Sequence, residues 1–147
     1  MTTIVADCEG MASDSQMTDT VAAVQTSVKK FWRIRGWLIG GAGTYSGIVL
    51  MMNSLRDHKD LSPADVLLEL DVKAKDVDLL LLSPAGNLYL SEDGGPCMKV
   101  QEGFAALGTG AQGALCAMHL GATPAEAVRV VKKVDPSTGG RVVTRKL

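Results

Sequence analysis

A threonine directly follows Met1, and this position could carry a reaction by itself. Once Met1 is removed, Thr2 presents a nucleophilic hydroxyl and a free α-amine on one residue. The amine has an ordinary pKa of about 7.7 to 8.0, so near neutral pH it can accept the hydroxyl proton. A threonine paired with its own terminal amine is a known way to activate a weak nucleophile. We therefore predict that Thr2 is a nucleophile if Met1 is removed, because an attached methionine would leave a peptide N–H without a basic lone pair.

A second pattern is the segment 108–113, Gly-Thr-Gly-Ala-Gln-Gly, which matches the G-x-G-x-x-G of dinucleotide sites. It follows a predicted strand, precedes a predicted helix and has Asp135 beyond it. However, a helix rather than a second strand is predicted before Asp135, so the βα repeat that holds a dinucleotide is missing. The glycine-rich segment 40–47 lacks the lysine of a phosphate-binding loop. We therefore expect no nucleotide cofactor.

The cysteines and histidines do not form a metal-binding pattern. Cys8, Cys97 and Cys116 are odd in number and lack the short paired spacing of a zinc site. We expect them to be reduced and mostly buried as small structural residues. His58 is predicted at the surface and His119 in a packed or capping position. No bound metal is expected.

Strands and hairpins are predicted from short apolar runs and turn residues. Residues 15–28 are polar and small and receive no element, and Gly40–Gly43 is expected to end the second hairpin. The predicted hairpins join 2–7 to 11–14, 29–34 to 37–39 and 77–83 to 88–91; further strands are expected at 97–100, 104–107 and 141–144.

Four helices are predicted from apolar periodicity and capping residues. Ser62-Pro63 and Thr123-Pro124 each combine a capping hydroxyl with proline at the first helical position. The predicted helices cover 44–57, from 62 to about 75, from about 111 to 120, and from 123 to the break at 135–140. The order of strands, two helices, strands, two helices and a strand predicts an α+β fold in which helices pack on antiparallel sheets.

Composition places the chain among ordinary globular proteins. Of its 147 residues 46% are apolar and 21% charged, with 15 basic and 16 acidic side chains. This size and balance predict one domain over 1–147, with no general attraction to nucleic acid or to an anionic membrane. The apolar runs 47–52 and 77–82 are far shorter than the roughly 20 residues of a membrane span. The N-terminus has no basic leader or apolar secretory core, so we expect a cytoplasmic protein.

Several segments together resemble proteasome β-subunits and their bacterial relative HslV. They occur in the family's order, with similar spacing, over nearly the whole chain. These segments are 2–6, 12–18, 28–30, 39–44, 106–111 and 135–140. The resemblance implies the fold of N-terminal nucleophile hydrolases, an αββα four-layer sandwich of two antiparallel sheets flanked by helices.

The resemblance also assigns roles to seven residues. It implies Thr2 as nucleophile, Lys30 as the cation beside it and Asp14 as the carboxylate that orients Lys30. An ammonium near Thr2 would lower the pKa of the α-amine and stabilise negative charge on the hydroxyl oxygen. Gly43 corresponds to the glycine whose N–H is the oxyanion donor. The remaining family positions, a hydroxyl, a carboxylate and a second hydroxyl around the terminal amine, fall on Thr109, Asp135 and Thr138.

Ordinary structural roles remain open for the same residues. Lys29 and Lys30 could form a solvated strand edge, Asp14 could be a turn residue, and Asp135-Pro136 could end a helix.

The resemblance implies a threonine endopeptidase that hydrolyses unfolded polypeptides. It further implies a homo-oligomeric ring and an ATP-dependent unfoldase as a possible partner. By analogy, Met51, Ser27 and the segment 15–28 would line the substrate pocket. The alternative is a catalytically silent structural or assembly subunit that retains Met1.

Overall fold

The computed structural model describes residues 2–18, 25–69 and 76–147, and these ranges contain four helices and eleven strands. In chain order the elements are β1 (Thr3–Asp7), β2 (Gly10–Ser13), β3 (Gln16–Thr18), β4 (Gln25–Ser27), β5 (Phe31–Ile34), β6 (Trp37–Gly43), α1 (Tyr45–Asp57), α2 (Pro63–Glu69), β7 (Val77–Leu82), β8 (Leu88–Ser91), β9 (Met98–Lys99), β10 (Phe104–Gly108), α3 (Ala111–His119), α4 (Pro124–Val134) and β11 (Val143–Lys146).

The strands form two larger antiparallel sheets and a two-stranded ladder within these ranges. The four-stranded sheet has the order β10-β1-β2-β11, and the five-stranded sheet has the order β5-β6-β7-β8-β9. The ladder pairs β3 with β4. The predicted α+β class, with antiparallel sheets and helices, is confirmed.

Three apolar clusters show how these elements pack. One contains residues of α1, α2 and the five-stranded sheet, including Met52 and Leu79. A second joins the two sheets through residues such as Ile4 and Leu80. A third contains residues of the four-stranded sheet, α3 and α4, including Val5. Because successive strand residues face opposite sides, β1 and β7 each contribute to two clusters and are buried on both faces.

All three predicted hairpins are present. The turn between β5 and β6 has positive φ at both central residues, +48° at Arg35 and +83° at Gly36. Such a turn matches the twist of the flanking strands, which explains why Arg-Gly between two apolar runs produces a tight hairpin. This hairpin places Lys30 directly before the edge strand β5.

The glycine run 40–43 does not end the second hairpin, as the sequence had suggested, because β6 continues through Gly43. A Cβ at Gly40 would lie 2.9 Å from Ile4 Cγ2, and one at Gly41 would lie 2.8 Å from Ile48 Cγ2. Both distances are shorter than packed carbon atoms adopt. Glycine therefore lets the four-stranded sheet and helix α1 approach the two faces of β6.

The helix predictions are confirmed with small changes of boundary. Thr44 precedes α1 as the predicted start, and Thr123 caps α4 in a complete capping box with Glu126. The described part of α2 ends at Glu69, and the rest of its predicted range, 70–75, lies outside the described residues. The closing strand covers Val143–Lys146, two residues later than expected at either end.

Two further expectations are changed by the structure. Cys8 and Cys116 are exposed rather than buried, although all three cysteines are free as predicted. His119 is exposed, but its ring packs edge-on against Phe104 at 4.9 Å between centroids, so the expected packed position is found at the surface. Among the helices of the described residues, none has the length and apolar character needed to cross a membrane.

Candidate active site

Thr2 lies directly before β1 and is 8% exposed. Its carbonyl is packed against Gly108, where φ is +94° and a Cβ would overlap the Thr2 oxygen. The Thr109 hydroxyl lies 3.5 Å from the oxygen of the same carbonyl. The first residue of the G-x-G-x-x-G pattern is therefore explained by the close approach of the Thr2 backbone.

The remainder of that glycine pattern also packs against protein rather than forming a nucleotide site. Strand β10 pairs antiparallel with β1, with Gly108 opposite Thr3, whereas a dinucleotide fold requires parallel strands. A Cβ at Gly110 would overlap the Thr3 hydroxyl and lie 2.5 Å from Val131 Cγ1. The glycines thus allow α3 and α4 to approach the start of β1.

Asp14 and Lys30 form a buried ion pair. Lys30 Nζ donates to Asp14 Oδ1 at 2.7 Å, and the side chains are 5% and 0% exposed. The backbone N–H groups of Thr3 and Gly139 also donate to the carboxylate, at 2.9 and 3.1 Å. Asp14 is thus held by donors from β1, from the segment that leads into β5, and from the loop after α4. A buried carboxylate with this many donors keeps Lys30 in one position.

Burial lowers the pKa of Lys30 from its ordinary value, because desolvation disfavours the ammonium. The hydrogen bond and the negative charge of Asp14 act in the opposite direction. Lys30 is therefore a more acidic ammonium than an exposed lysine. It can take part in proton transfer while Asp14 still favours its charged form.

A chain of side-chain hydrogen bonds connects β1 to Asp135. Thr138 Oγ1 donates to Asp135 Oδ2 at 2.7 Å, and Thr3 Oγ1 lies 2.6 Å from Thr138 Oγ1. Because a hydroxyl has one proton, Thr138 gives its proton to the carboxylate and accepts the proton of Thr3. Thr109 Oγ1 also lies 3.5 Å from Asp135 Oδ2, so its one proton is donated either to this carboxylate or to the Thr2 carbonyl.

The pKa of Asp135 is lowered from its ordinary value, chiefly because the Thr138 hydroxyl donates to the carboxylate. Burial is the next largest effect and opposes this shift, whereas the hydrogen bonds from Ser137 and Thr109 add smaller contributions that lower the pKa. Near neutral pH the carboxyl group of Asp135 is therefore ionised and places a negative charge near the start of β1.

Gly43 is the last residue of β6 and adopts a φ of +118°. A Cβ there would overlap the carbonyl oxygen of Asp76. The positive φ and the nearby Asp76 carbonyl therefore require glycine at this position, whether or not a substrate approaches it.

Thr2, Lys30 and Gly43 line one small cavity of about 40 Å³. Gln16, Met17 and Ile48 are among the residues that complete its walls. Met51, expected to line a substrate pocket, is 1% exposed inside the cluster of α1, α2 and the five-stranded sheet, because the inner face of α1 is turned to that sheet. Ser27 lines a neighbouring, larger cleft instead.

All seven predicted site residues thus lie in one connected region. Thr2, Lys30 and Gly43 meet at the cavity, Asp14 holds Lys30, and the other three surround the start of β1. Sequence reasoning missed Thr3, whose N–H binds Asp14 and whose hydroxyl binds Thr138. Its only signal was a second threonine after Thr2, which has no specific meaning without the fold.

Solved structures with the same fold come from several organisms. HslV from Trypanosoma brucei matches with a TM-score of 0.78 and 18% identity, covering 99% of this chain and 98% of that chain. The Anbu (Gly-1) mutant from Hyphomicrobium sp. strain MC1 matches with a TM-score of 0.79 and 12% identity, covering 100% and 81% of the two chains. BPH from Thiobacillus denitrificans, in complex with epoxomicin, has a TM-score of 0.69 and 14% identity, with coverage of 100% and 98%.

These neighbours establish the fold class of the chain, in which two antiparallel sheets combine with helices. More particularly, it is the fold of HslV and of BPH, so the resemblance in the sequence is confirmed at the level of the fold. No protein-family model and no curated protein matches the sequence.

Proposed function

We propose that this protein is a threonine peptidase of the HslV and proteasome type, with Thr2 as its nucleophile after removal of Met1. The observation that carries the proposal is the buried Lys30–Asp14 pair, whose lysine lines the same cavity as Thr2 and Gly43. A buried ion pair costs desolvation free energy that an apolar pair would not, so its position beside a threonine needs a reason beyond stability. A cation that tunes a nucleophile supplies that reason.

The reaction would begin with attack of Thr2 Oγ1 on a peptide carbonyl. The hydroxyl proton passes to the free α-amine, while the ammonium of Lys30 stabilises the developing negative charge on the oxygen. The Gly43 N–H would donate to the carbonyl oxygen as it becomes an oxyanion. The amine then protonates the leaving nitrogen, the C–N bond breaks and an acyl ester remains on Thr2.

Water would complete the cycle. The α-amine takes a proton from a water molecule, which attacks the ester carbonyl, and the C–O bond to Thr2 breaks to release the acid and restore the hydroxyl. Thr109, Asp135 and Thr138 lie around the start of β1 and would position the terminal amine. They would act as positioning residues, because they fix the backbone next to the α-amine of Thr2 and place a negative charge near it.

The fold supports a wider proposal about the molecule. We propose a single domain over 1–147 with the helix, sheet, sheet, helix layering of the N-terminal nucleophile hydrolases, since its three apolar clusters fit that order. By analogy with HslV and BPH, substrates would be unfolded polypeptides, the chains would form a homo-oligomeric ring, and an ATP-dependent unfoldase could deliver the substrate.

Peptide hydrolysis by matched variants tests the proposed chemistry. We expect Thr2→Ala to lose at least about 100-fold in activity, because no hydroxyl remains, whereas Thr2→Ser keeps measurable turnover. Thr144→Ala is the control, since Thr144 is an exposed threonine of β11. Circular dichroism establishes that each variant is folded. Undiminished hydrolysis by folded Thr2→Ala would contradict the proposal.

A further inference from the structure

A larger cleft of about 700 Å³ opens between the two sheets, beside the small cavity. Its walls come largely from the segment 27–33, which leads into β5, and from the segment 141–145, which leads into β11. The strands β5 and β11 are each the edge of their sheet. It shares Val28, Lys29 and Lys30 with the cavity that holds Thr2. The proposed peptidase reaction uses none of the cleft's other residues.

The strand register turns two arginines toward the space between the sheets. Arg145 pairs with Met11, which belongs to the cluster between the sheets, and paired residues share a face of a sheet. Arg33 is two residues from Phe31, another member of that cluster, so it lies on the same face of β5. On the faces that the two sheets turn toward each other, the inner strands carry apolar residues such as Ile4 and Leu80, whereas the edge strands β5 and β11 carry Arg33 and Arg145.

The cleft is strongly basic although the chain has a formal net charge of −1. Its lining includes Lys29, Lys30, Arg33, Arg141 and Arg145 and has no acidic residue among the described residues that form it. Asp14 compensates only the charge of Lys30. Arg33 donates one of its five N–H groups to the Lys146 carbonyl, which links β5 to β11 and leaves the others for a ligand.

Two buried hydroxyls add an independent observation. Ser13 and Ser15 both line the cleft and are 1% and 3% exposed. Neither Oγ has a hydrogen-bond partner among the described residues. Ser13 pairs with Val143 across the β2–β11 ladder, and its side chain is therefore on the same face as those of Met11 and Arg145. Buried hydroxyls are normally satisfied, so these two indicate a polar ligand that enters the cleft.

We propose that this cleft is a binding site for a phosphate-bearing anion. Guanidinium groups bind phosphate oxygens in pairs, and serine hydroxyls donate to the same acceptors. The volume is sufficient for a chain of phosphates, and Phe31, Val28 and Val143 supply an apolar wall for an organic group attached to it. The ligand class is therefore a polyphosphate or a phosphate ester.

Calorimetric titration with inorganic tripolyphosphate and with adenosine triphosphate, both without metal, tests the site. We expect saturable binding that raises the midpoint of thermal unfolding. Tighter binding of adenosine triphosphate would identify an organic phosphate as the ligand, and equal binding would identify the phosphate chain alone. Absence of saturable binding by both probes would overturn the proposal.

Variants separate a built site from general attraction of anions. The double substitution Arg33→Gln and Arg141→Gln should weaken binding at least about 10-fold, and Ser13→Ala should weaken it several-fold without a change of charge. Arg129→Gln, on the exposed face of α4, is the control and should bind as the original chain does. An equal loss in Arg129→Gln would mean that only net charge attracts the anion.

The inward arginines have one competing explanation, which the same variants address. Charged side chains at edge strands can prevent the edges of two molecules from pairing. In that case the double variant would self-associate and keep its affinity for tripolyphosphate, and the proposal would be wrong. If the double variant does not fold, tripolyphosphate binding by Ser13→Ala decides instead: weaker binding supports the proposal and unchanged binding contradicts it. Binding to Thr2→Ala should be unchanged, so failure of the peptidase proposal would leave this site standing.

Discussion

The hydroxyl of Thr138 occupies the centre of the Thr3–Thr138–Asp135 chain, and its removal should be costly. Thr138→Val keeps the shape of the side chain but leaves a buried hydroxyl and a carboxylate oxygen without this partner. We expect the free energy of unfolding to fall by about 1 to 3 kcal/mol in urea titrations. Thr138→Ser should keep most of the stability because the hydroxyl remains. A Thr138→Val protein as stable as the original would contradict the assigned hydrogen bonds.

Asp135 predicts a pH dependence of stability with a definite sign. Its folded pKa is depressed below the ordinary 3.8 by the Thr138 hydroxyl and weaker donors, so the ionised form favours folding. This contribution is complete above the unfolded pKa and is lost as the pH falls through the lower, folded pKa. The difference in the free energy of unfolding between the original chain and Asp135→Asn, measured in urea, should therefore be largest above about pH 5 and should shrink only as the pH falls below 3.8, through the folded pKa. A constant difference at all pH values would contradict the assigned cause.

Among the elements, the end of β6 depends on Gly43, whose backbone lies close to Asp76, the residue directly before β7. An alanine there would adopt a strained φ of +118° and meet the Asp76 carbonyl. We expect Gly43→Ala to lower the free energy of unfolding by at least about 1 to 3 kcal/mol, with loss of peptide hydrolysis. Gly103→Ala is the matched control, because a Cβ there meets no atom within 4 Å. Equal unfolding midpoints for the two variants in urea would refute the argument.

Elements determined by local chemistry could be predicted from the sequence. The Arg35-Gly36 turn and the Thr123 capping box depend on neighbouring residues alone, and both are present. The glycine run in β6 was misinterpreted because its reason is distant in sequence, namely packing against Ile4 and Ile48. The short strands β3 and β4 were missed because polar residues in a two-stranded ladder give no apolar alternation.

The residues of the candidate site also differ in whether they could be predicted from local sequence or only from contacts that are distant in sequence. Thr2 could be chosen from residue type and position, since its two functional groups are on one residue. The roles of Asp14, Lys30 and the other partners came from resemblance, because no spacing rule brings β2, β5 and the loop after α4 together. The role of Thr3 required the fold itself, since Asp14 and Thr138 reach it from distant parts of the chain.

At the scale of the whole molecule, the site lies where the two sheets and the loop after α4 meet. The cluster between the sheets fixes β1 against β6 and β7, while the cluster under α3 and α4 fixes its other face. Thr2 therefore directly precedes a strand that is packed on both faces, and it lines the small cavity that adjoins the basic cleft. The cavity beside Thr2 and the basic cleft are neighbours, because both are lined by Val28, Lys29 and Lys30.

The proposed peptidase activity requires that Thr2 carries a free amine and a reactive hydroxyl. Intact-protein mass spectrometry, before and after treatment with a threonine-directed covalent inhibitor, tests it most directly. We expect a chain without Met1 that gains one inhibitor adduct, located at Thr2 by peptide mapping and absent from Thr2→Ala. A chain that retains Met1 and gains no adduct would contradict the claim and identify a catalytically silent subunit.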